Sequence, residues 1–302
     1  MSAGVVFQQM CIIFLLVVTG YLTYKKGIVS DETSRGISAL VVNVCNPALL
    51  VNSAFDRDPS VTNEKLLLVV LGGAIMYALL LLAAWILPGI LHVEKKWRNH
   101  YSLMCVFGNT GFIGLPLTAA VLGNKALIYV AISNVYFALL FYTIGIRLAD
   151  DGAKFSWKEL INMGNLSTIL TLLIFLFQPK LPAVVTQTVG HMANATTLLA
   201  MMIIGVSLAK SNLKSVFGNP KMYLFCALRY VLVPVLISMV IKPVIHDHTV
   251  FGVLVLLSSV PAGSLPLMRV EEKGGDGRIL STGIILSTLL SLITIPLVVL
   301  FV

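Results

Sequence analysis

Charge is scarce. Only 11% of the 302 residues are Asp, Glu, Lys or Arg, against about 25% in a soluble domain. The few acidic residues are also placed tellingly: all thirteen fall at the edges of apolar runs or between them. No carboxylate stands in the middle of a run, so a buried proton relay or a carboxylate-based cation site has no support. Sodium held by backbone carbonyls and hydroxyls stays open. Cysteine is equally sparse. Cys11, Cys45, Cys105 and Cys226 lie inside apolar runs, without metal-ligand spacing or a pairing to infer, and read as small buried hydrophobes. The five histidines are scattered, and no H-E-x-x-H, G-x-S-x-G or P-loop occurs. An intramembrane enzyme would need a nucleophile–base pair or a metal site. None is visible, and no cofactor or metal is expected. Low-complexity linkers and charged tails are absent.

Apolar residues fill the space instead. They make up 58% of the chain, mean hydropathy is +0.94, and runs of bilayer-crossing length, ~20 residues, recur throughout. The sequence predicts an all-α polytopic membrane protein of ten spans, near 4–24, 32–55, 64–91, 100–122, 125–148, 159–178, 183–209, 222–241, 249–270 and 277–302. The first span has no basic segment before it and no small-residue cleavage site, which marks a retained helix and not a removed signal peptide. Asn165-Leu-Ser and Asn194-Ala-Thr match the glycosylation pattern but lie in or at spans, so they are read as chance.

The formal charge of +8 reports topology. Fifteen Lys and Arg lie in connections after odd-numbered spans and five after even-numbered ones, with Arg229 inside span eight. By the positive-inside rule both termini are non-cytoplasmic. The basic excess then faces an anionic leaflet and needs no nucleic-acid partner.

Two motifs break the apolar pattern. "FGNTGFIGLPL" falls in span four, and its Gly114-Leu115-Pro116-Leu117 returns as Ser264-Leu265-Pro266-Leu267 in span nine, 150 residues on. Asn109, Thr110 and Gly111 correspond to Ser259, Val260 and Pro261. Both spans are fourth in a set of five. Five is odd, so residues 151–302 enter the membrane with polarity opposite to residues 1–150, as inverted repeats do in secondary transporters. Glycine and proline interrupt the helical ladder, and freed backbone groups are tolerated in lipid only where protein or water covers them. Matched interruptions therefore point to a midplane site. Its expected residues are Asn109, Thr110, Gly111, Gly114, Pro116, Ser259, Pro261, Gly263, Ser264 and Pro266, with Asn46 and Asn134 as further polar groups. Half-helix N-termini would offer positive dipole ends to an anion. Arg229 either snorkels to the interface or attracts the anion. Asn43, Asn194, Thr196 and Thr197 serve as interhelical glue as readily as substrate contacts.

In this order "NVCNPALL", "GNTGFIGLPL", "MMIIGVSLA", "LRYVLVP", "VPAGSLPL" and "ILSTGIILSTLLSLITIPL" resemble the auxin efflux carrier family, which includes plant auxin carriers and bacterial malate or malonate permeases. The resemblance covers essentially the whole chain. It implies a scaffold of spans 1, 2, 6 and 7, a mobile transport domain of spans 3–5 and 8–10, and Pro116 and Pro266 at the crossing of spans four and nine. It also implies Asn109 as a substrate contact, a homodimer, and an elevator-like step. The plant carriers' long central loop is absent, which favours a compact prokaryote-type member in the bacterial inner membrane. Two positions depart: Asn165-Leu166 stands where many relatives have Asn-Pro, and Thr197 where many have proline. The expected function is secondary transport of small organic anions, auxin-like monocarboxylates or malate- and malonate-type dicarboxylates. The alternative is a membrane sensor that binds its ligand without moving it.

Overall fold

The computed structural model describes residues 3–55, 61–150, 157–211 and 216–302. Of the charges placed above, Arg57, Lys154, Lys214, Asp56, Asp58 and Asp151 lie outside these residues. The regular elements among the described residues are all helices, with no strand. We number the helices α1 (Ala3–Lys25), α2 (Asp31–Asn52), α3 (Asn63–Ile90), α4 (Arg98–Val106), α5 (Thr110–Leu122), α6 (Asn124–Ala149), α7 (Met163–Phe177), α8 (Ala183–Lys210), α9 (Pro220–Ile241), α10 (His248–Ser259), α11 (Leu265–Glu272) and α12 (Arg278–Phe301). Seven of them (α1, α2, α3, α6, α8, α9 and α12) are long and apolar enough to cross a membrane. Spans four and nine are each split, into α4 and α5 and into α10 and α11.

Short polar residues start these helices where the sequence offers them. The side chains of Ser30, Thr62, Asn162, Asn219 and Asp247 accept first-turn N–H groups of α2, α3, α7, α9 and α10, satisfying donors that a helix leaves orphaned. The outward surface is apolar: Trp85 is 80% exposed and Phe177 76%. A chain in water does not leave such a continuous apolar exterior uncovered, and a bilayer supplies the matching solvent.

Helix α8 packs on α1 and α2, and α2 on α7, α1 against α8 most extensively; α1 also packs on α12 and α7 on α6. Backbones meet there because Gly20 and Gly205 face each other's helices; a Cβ on Gly205 would fall on Val17 O, and one on Gly20 on Met202 O. Small residues at such a crossing gain close van der Waals packing, which replaces the hydrophobic effect inside lipid. Thr196 Oγ1 donates to Cys45 O at 2.9 Å, tying α8 to α2, so this member of the polar group read ambiguously above is glue.

Contacts between connections sort into two ends. At one end Lys210 meets Asp31 at 2.8 Å, Lys221 Nζ donates to His92 O, His100 lies 3.0 Å from Asp276 O, and Arg269 pairs with Glu159 at 3.0 Å. At the other, Lys65 pairs with Asp247 at 2.8 Å and Gln178 Nε2 donates to Ala54 O. The first end carries the connections with the basic excess.

Among the described residues four π-helical turns interrupt the regular ladders: Val41–Cys45 in α2, Thr110–Gly114 in α5, Phe141–Gly145 in α6 and Leu228–Leu232 in α9. Wide turns of this kind recur at functional sites.

Candidate functional site

The two broken spans cross where they break. Asn109 N donates to Pro261 O at 2.7 Å, and Gly263 N donates to Phe107 O at 2.9 Å. These two bonds form an antiparallel bridge between Gly108 and Ala262. They satisfy backbone groups that the interruptions would otherwise leave bare in an apolar medium. Ala262 N is taken by Ser287 Oγ of α12 at 3.1 Å. Gly108 and Gly263 permit the approach: a Cβ on Gly263 would lie 2.9 Å from Gly108 O.

Beside the crossing lies a cavity of about 330 Å³, at the small end of the usual ligand-site range. Three helix N-termini line it. Asn109, Thr110, Gly111 and Phe112 come from the start of α5, Ser264 and Leu265 from the start of α11, and Asn162, Met163, Gly164 and Asn165 from the start of α7. Asn109 is 9% exposed, and its Oδ1 accepts from Phe112 N at 3.0 Å. Asn162 Oδ1 accepts from Asn165 N in the same manner, while its Nδ2 donates to the Tyr142 hydroxyl. No side chain caps α11. Facing these ends are Asn43 and Asn46 of α2 and Asn134 of α6. Asn46 Oδ1 is buried without a hydrogen-bond partner among the described residues, an acceptor that would normally be satisfied.

Six asparagines therefore line one cavity, with Ser167, Thr168 and Tyr142 adding hydroxyls. Among the described residues no Asp, Glu, Lys or Arg lines it. Its favourable field for negative charge comes from helix dipoles and N–H groups. The rest of the wall is apolar, including Pro47, Leu50, Leu115, Phe137 and Met268. Three of the four π turns contribute lining residues, among them Asn43, Thr110 and Tyr142.

Of the residues expected from sequence, Asn46, Asn109, Thr110, Gly111, Asn134, Gly263 and Ser264 share this cavity. Gly114, Pro116, Ser259, Pro261, Pro266 and Arg229 do not line it. Pro116 and Pro266 do not mark the crossing. Pro266 stands just beyond it in the first turn of α11, where a missing N–H costs nothing, and Pro116 stands further on in α5, directly after the π turn Thr110–Gly114. Pro261 is at the crossing itself, through its carbonyl. Ser259 Oγ donates to Val255 O at 2.7 Å within its own helix. Arg229 does not snorkel: it is 1% exposed, with its guanidinium on backbone carbonyls. Asn162, Ser167, Thr168 and Tyr142 were missed. For Asn162 a signal existed, since an asparagine just ahead of a long apolar run is a helix-start mark.

An all-helical membrane chain with two interrupted helices bridged beside a polar cavity has the build of a membrane transporter. The chain belongs to the membrane transport protein family, an auxin efflux carrier-like group, which it matches over residues 5–162 and 152–299. Two archaeal proteins are similar along nearly their full lengths. An uncharacterized transporter of Methanothermobacter thermautotrophicus is 24% identical over 296 residues, 94% of each chain. One of Methanocaldococcus jannaschii is 24% identical over 298 residues, 95% of each.

Proposed function

We propose that this protein is a secondary transporter of small organic anions, monocarboxylates of the auxin type or dicarboxylates of the malate and malonate type, and that the asparagine-lined cavity is its substrate site. One observation carries the reading: three helix N-termini and six asparagines converge on a cavity that, among the described residues, has no acidic side chain. Such a site offers a carboxylate several N–H donors and no repelling charge. Family membership and the relatives' description as transporters support it.

The proposal includes ten spans in two inverted sets of five, with α5 and α11 as the second halves of spans four and nine. It places α1, α2, α7 and α8 in a scaffold, and the remaining helices in a domain that moves past it in an elevator step. The packing of α8 on α1 and α2, and of α2 on α7, supports that division, as does the position of the cavity between α7 and α2 on one side and the crossing on the other; α1 with α12 and α7 with α6 form the surfaces along which the two parts would slide. A homodimer joined through the scaffold, residence in the bacterial inner membrane, and termini on the non-cytoplasmic side complete the proposal. Residence and dimer rest on the resemblance, and sidedness on the basic residues.

The test is uptake of labelled malate, malonate and indole acetate into proteoliposomes, with and without an imposed potential and pH gradient. Asn109→Asp is the sharpest variant. Aspartate caps a helix as well as asparagine, so thermal stability in detergent should stay near wild type. It removes the amide donors and sets a like charge against the substrate. A hydrogen bond to a charged group is worth ~1.5–3 kcal/mol, so flux at low substrate should fall at least tenfold. Wild-type flux in Asn109→Asp would remove the cavity from the transport path. Saturable binding with no counterflow in any condition would favour the sensor reading.

A further inference from the structure

Broken helices orphan carbonyls as well as N–H groups. Were α4 unbroken, Met104 O and Cys105 O would accept from residues 108 and 109. At the crossing Asn109 N is committed to Pro261 O. In α10, Ser258 O loses Ala262 N to Ser287 Oγ. All three carbonyls are met from one place, the π turn Leu228–Leu232 of α9. Arg229 Nε donates to Cys105 O, Arg229 Nη1 donates to Ser258 O at 2.7 Å, and the Tyr230 hydroxyl donates to Met104 O at 3.2 Å. Both side chains are 1% exposed. Among the described residues no carboxylate pairs with Arg229; its countercharge is the negative end of two half-helices. The Tyr230 ring lies 4.9 Å from its guanidinium carbon.

We infer that Arg229 is a positioning residue for the anion site, holding the C-terminal ends of α4 and α10 in one fork so that the N-termini of α5 and α11 stay aimed at the cavity. The inference rests on the reading of that cavity as an anion site. It assigns the crossing two faces. The negative helix ends are bound internally by one fixed cation, and the positive ends are left for the substrate. Arg229 acts without touching the ligand, since it is outside the cavity lining. Arginine suits the task because its planar fork presents two donors to two carbonyls at a fixed angle, whereas lysine is a single point.

The test uses the full chain with Arg229→Met, which keeps an unbranched apolar stem and lacks the guanidinium, and Arg229→Lys. In Arg229→Met, amides of residues 105–112 and 259–266 should exchange with solvent at least tenfold faster, with α1 and α8 unchanged, and KM for the transported acid should rise at least tenfold. Arg229→Lys should recover part of both. If Arg229→Met does not fold, Arg229→Lys decides, through a raised KM with faster exchange confined to the two crossing segments. Wild-type KM with wild-type exchange in either variant overturns the inference. Uniformly faster exchange in every helix does too, because it would mark an ordinary core residue. If the wild-type protein moves no acid at all, the proposed function fails, while the exchange measurement still decides what Arg229 does.

Discussion

Gly205→Val is expected to abolish stable folding, seen as loss of monodisperse protein on detergent extraction and a thermal midpoint lowered by ten degrees or more. On helix propensity alone glycine is the poorest residue short of proline, by ~1 kcal/mol against alanine, so most replacements in a long helix should help. The packing of α1 on α8 reverses the sign. A Cβ at Gly205 would fall on Val17 O and lie 2.6 Å from Tyr21 N. These are backbone atoms, so no rotamer change relieves the overlap, and the helices must separate. Ordinary overpacking costs ~1–3 kcal/mol. Here separation also strips the contacts between the most extensively paired helices of the protein. Gly36→Ala is the control, since a Cβ there meets nothing within 4 Å. A Gly205→Val protein with a wild-type midpoint would show that α1 and α8 do not meet at these glycines.

Gly263→Ala should act at the other extreme, leaving a folded protein that no longer transports. The added methyl carbon would lie 2.9 Å from Gly108 O and 3.2 Å from Phe107 O, the second being the acceptor of the Gly263 N–H. To admit it the bridge must open. The strain, again ~1–3 kcal/mol, is local and spares the α1–α8 crossing. It falls where N–H groups and asparagines have to hold their geometry for a ligand. Flux in proteoliposomes should drop by a factor of ten to a hundred while the thermal midpoint moves by a few degrees. Gly263→Ala transporting at half the wild-type rate or better would mean that the bridge does not shape the site.

The apolar runs made the helices and their order legible, because bilayer thickness imposes a length that composition alone reveals. The breaks at 107–109 and 260–264 were legible through their small and polar residues. The crossing's exact place was not. Proline is the loudest helix breaker in a sequence, and Pro116 and Pro266 drew attention to themselves. Their distance from the crossing, Pro266 in the first turn of α11 and Pro116 after the π turn of α5, is visible only once the turns are located. Asn162 and Asn165 do not read as site residues because they sit where span six begins, and an asparagine at a helix start reads as a boundary before it reads as a wall. Arg229 is conspicuous in the sequence, but its partners are not. Its partners, Cys105 O and Ser258 O, are backbone atoms far away in the chain, freed only because two other helices stop short. The π turns leave no periodic signal of their own, yet they carry Asn43, Thr110, Tyr142 and Arg229 to their places.

The bridge between Gly108 and Ala262 is made of main chain alone. Side chains lining the cavity are therefore free to change without loosening the joint, provided Gly108, Gly263 and the Arg229 fork stay. A descendant of this protein can exchange its asparagines for other groups and accept a different solute while inheriting the same mechanical hub, so that chemistry and machinery are tuned by separate sets of mutations.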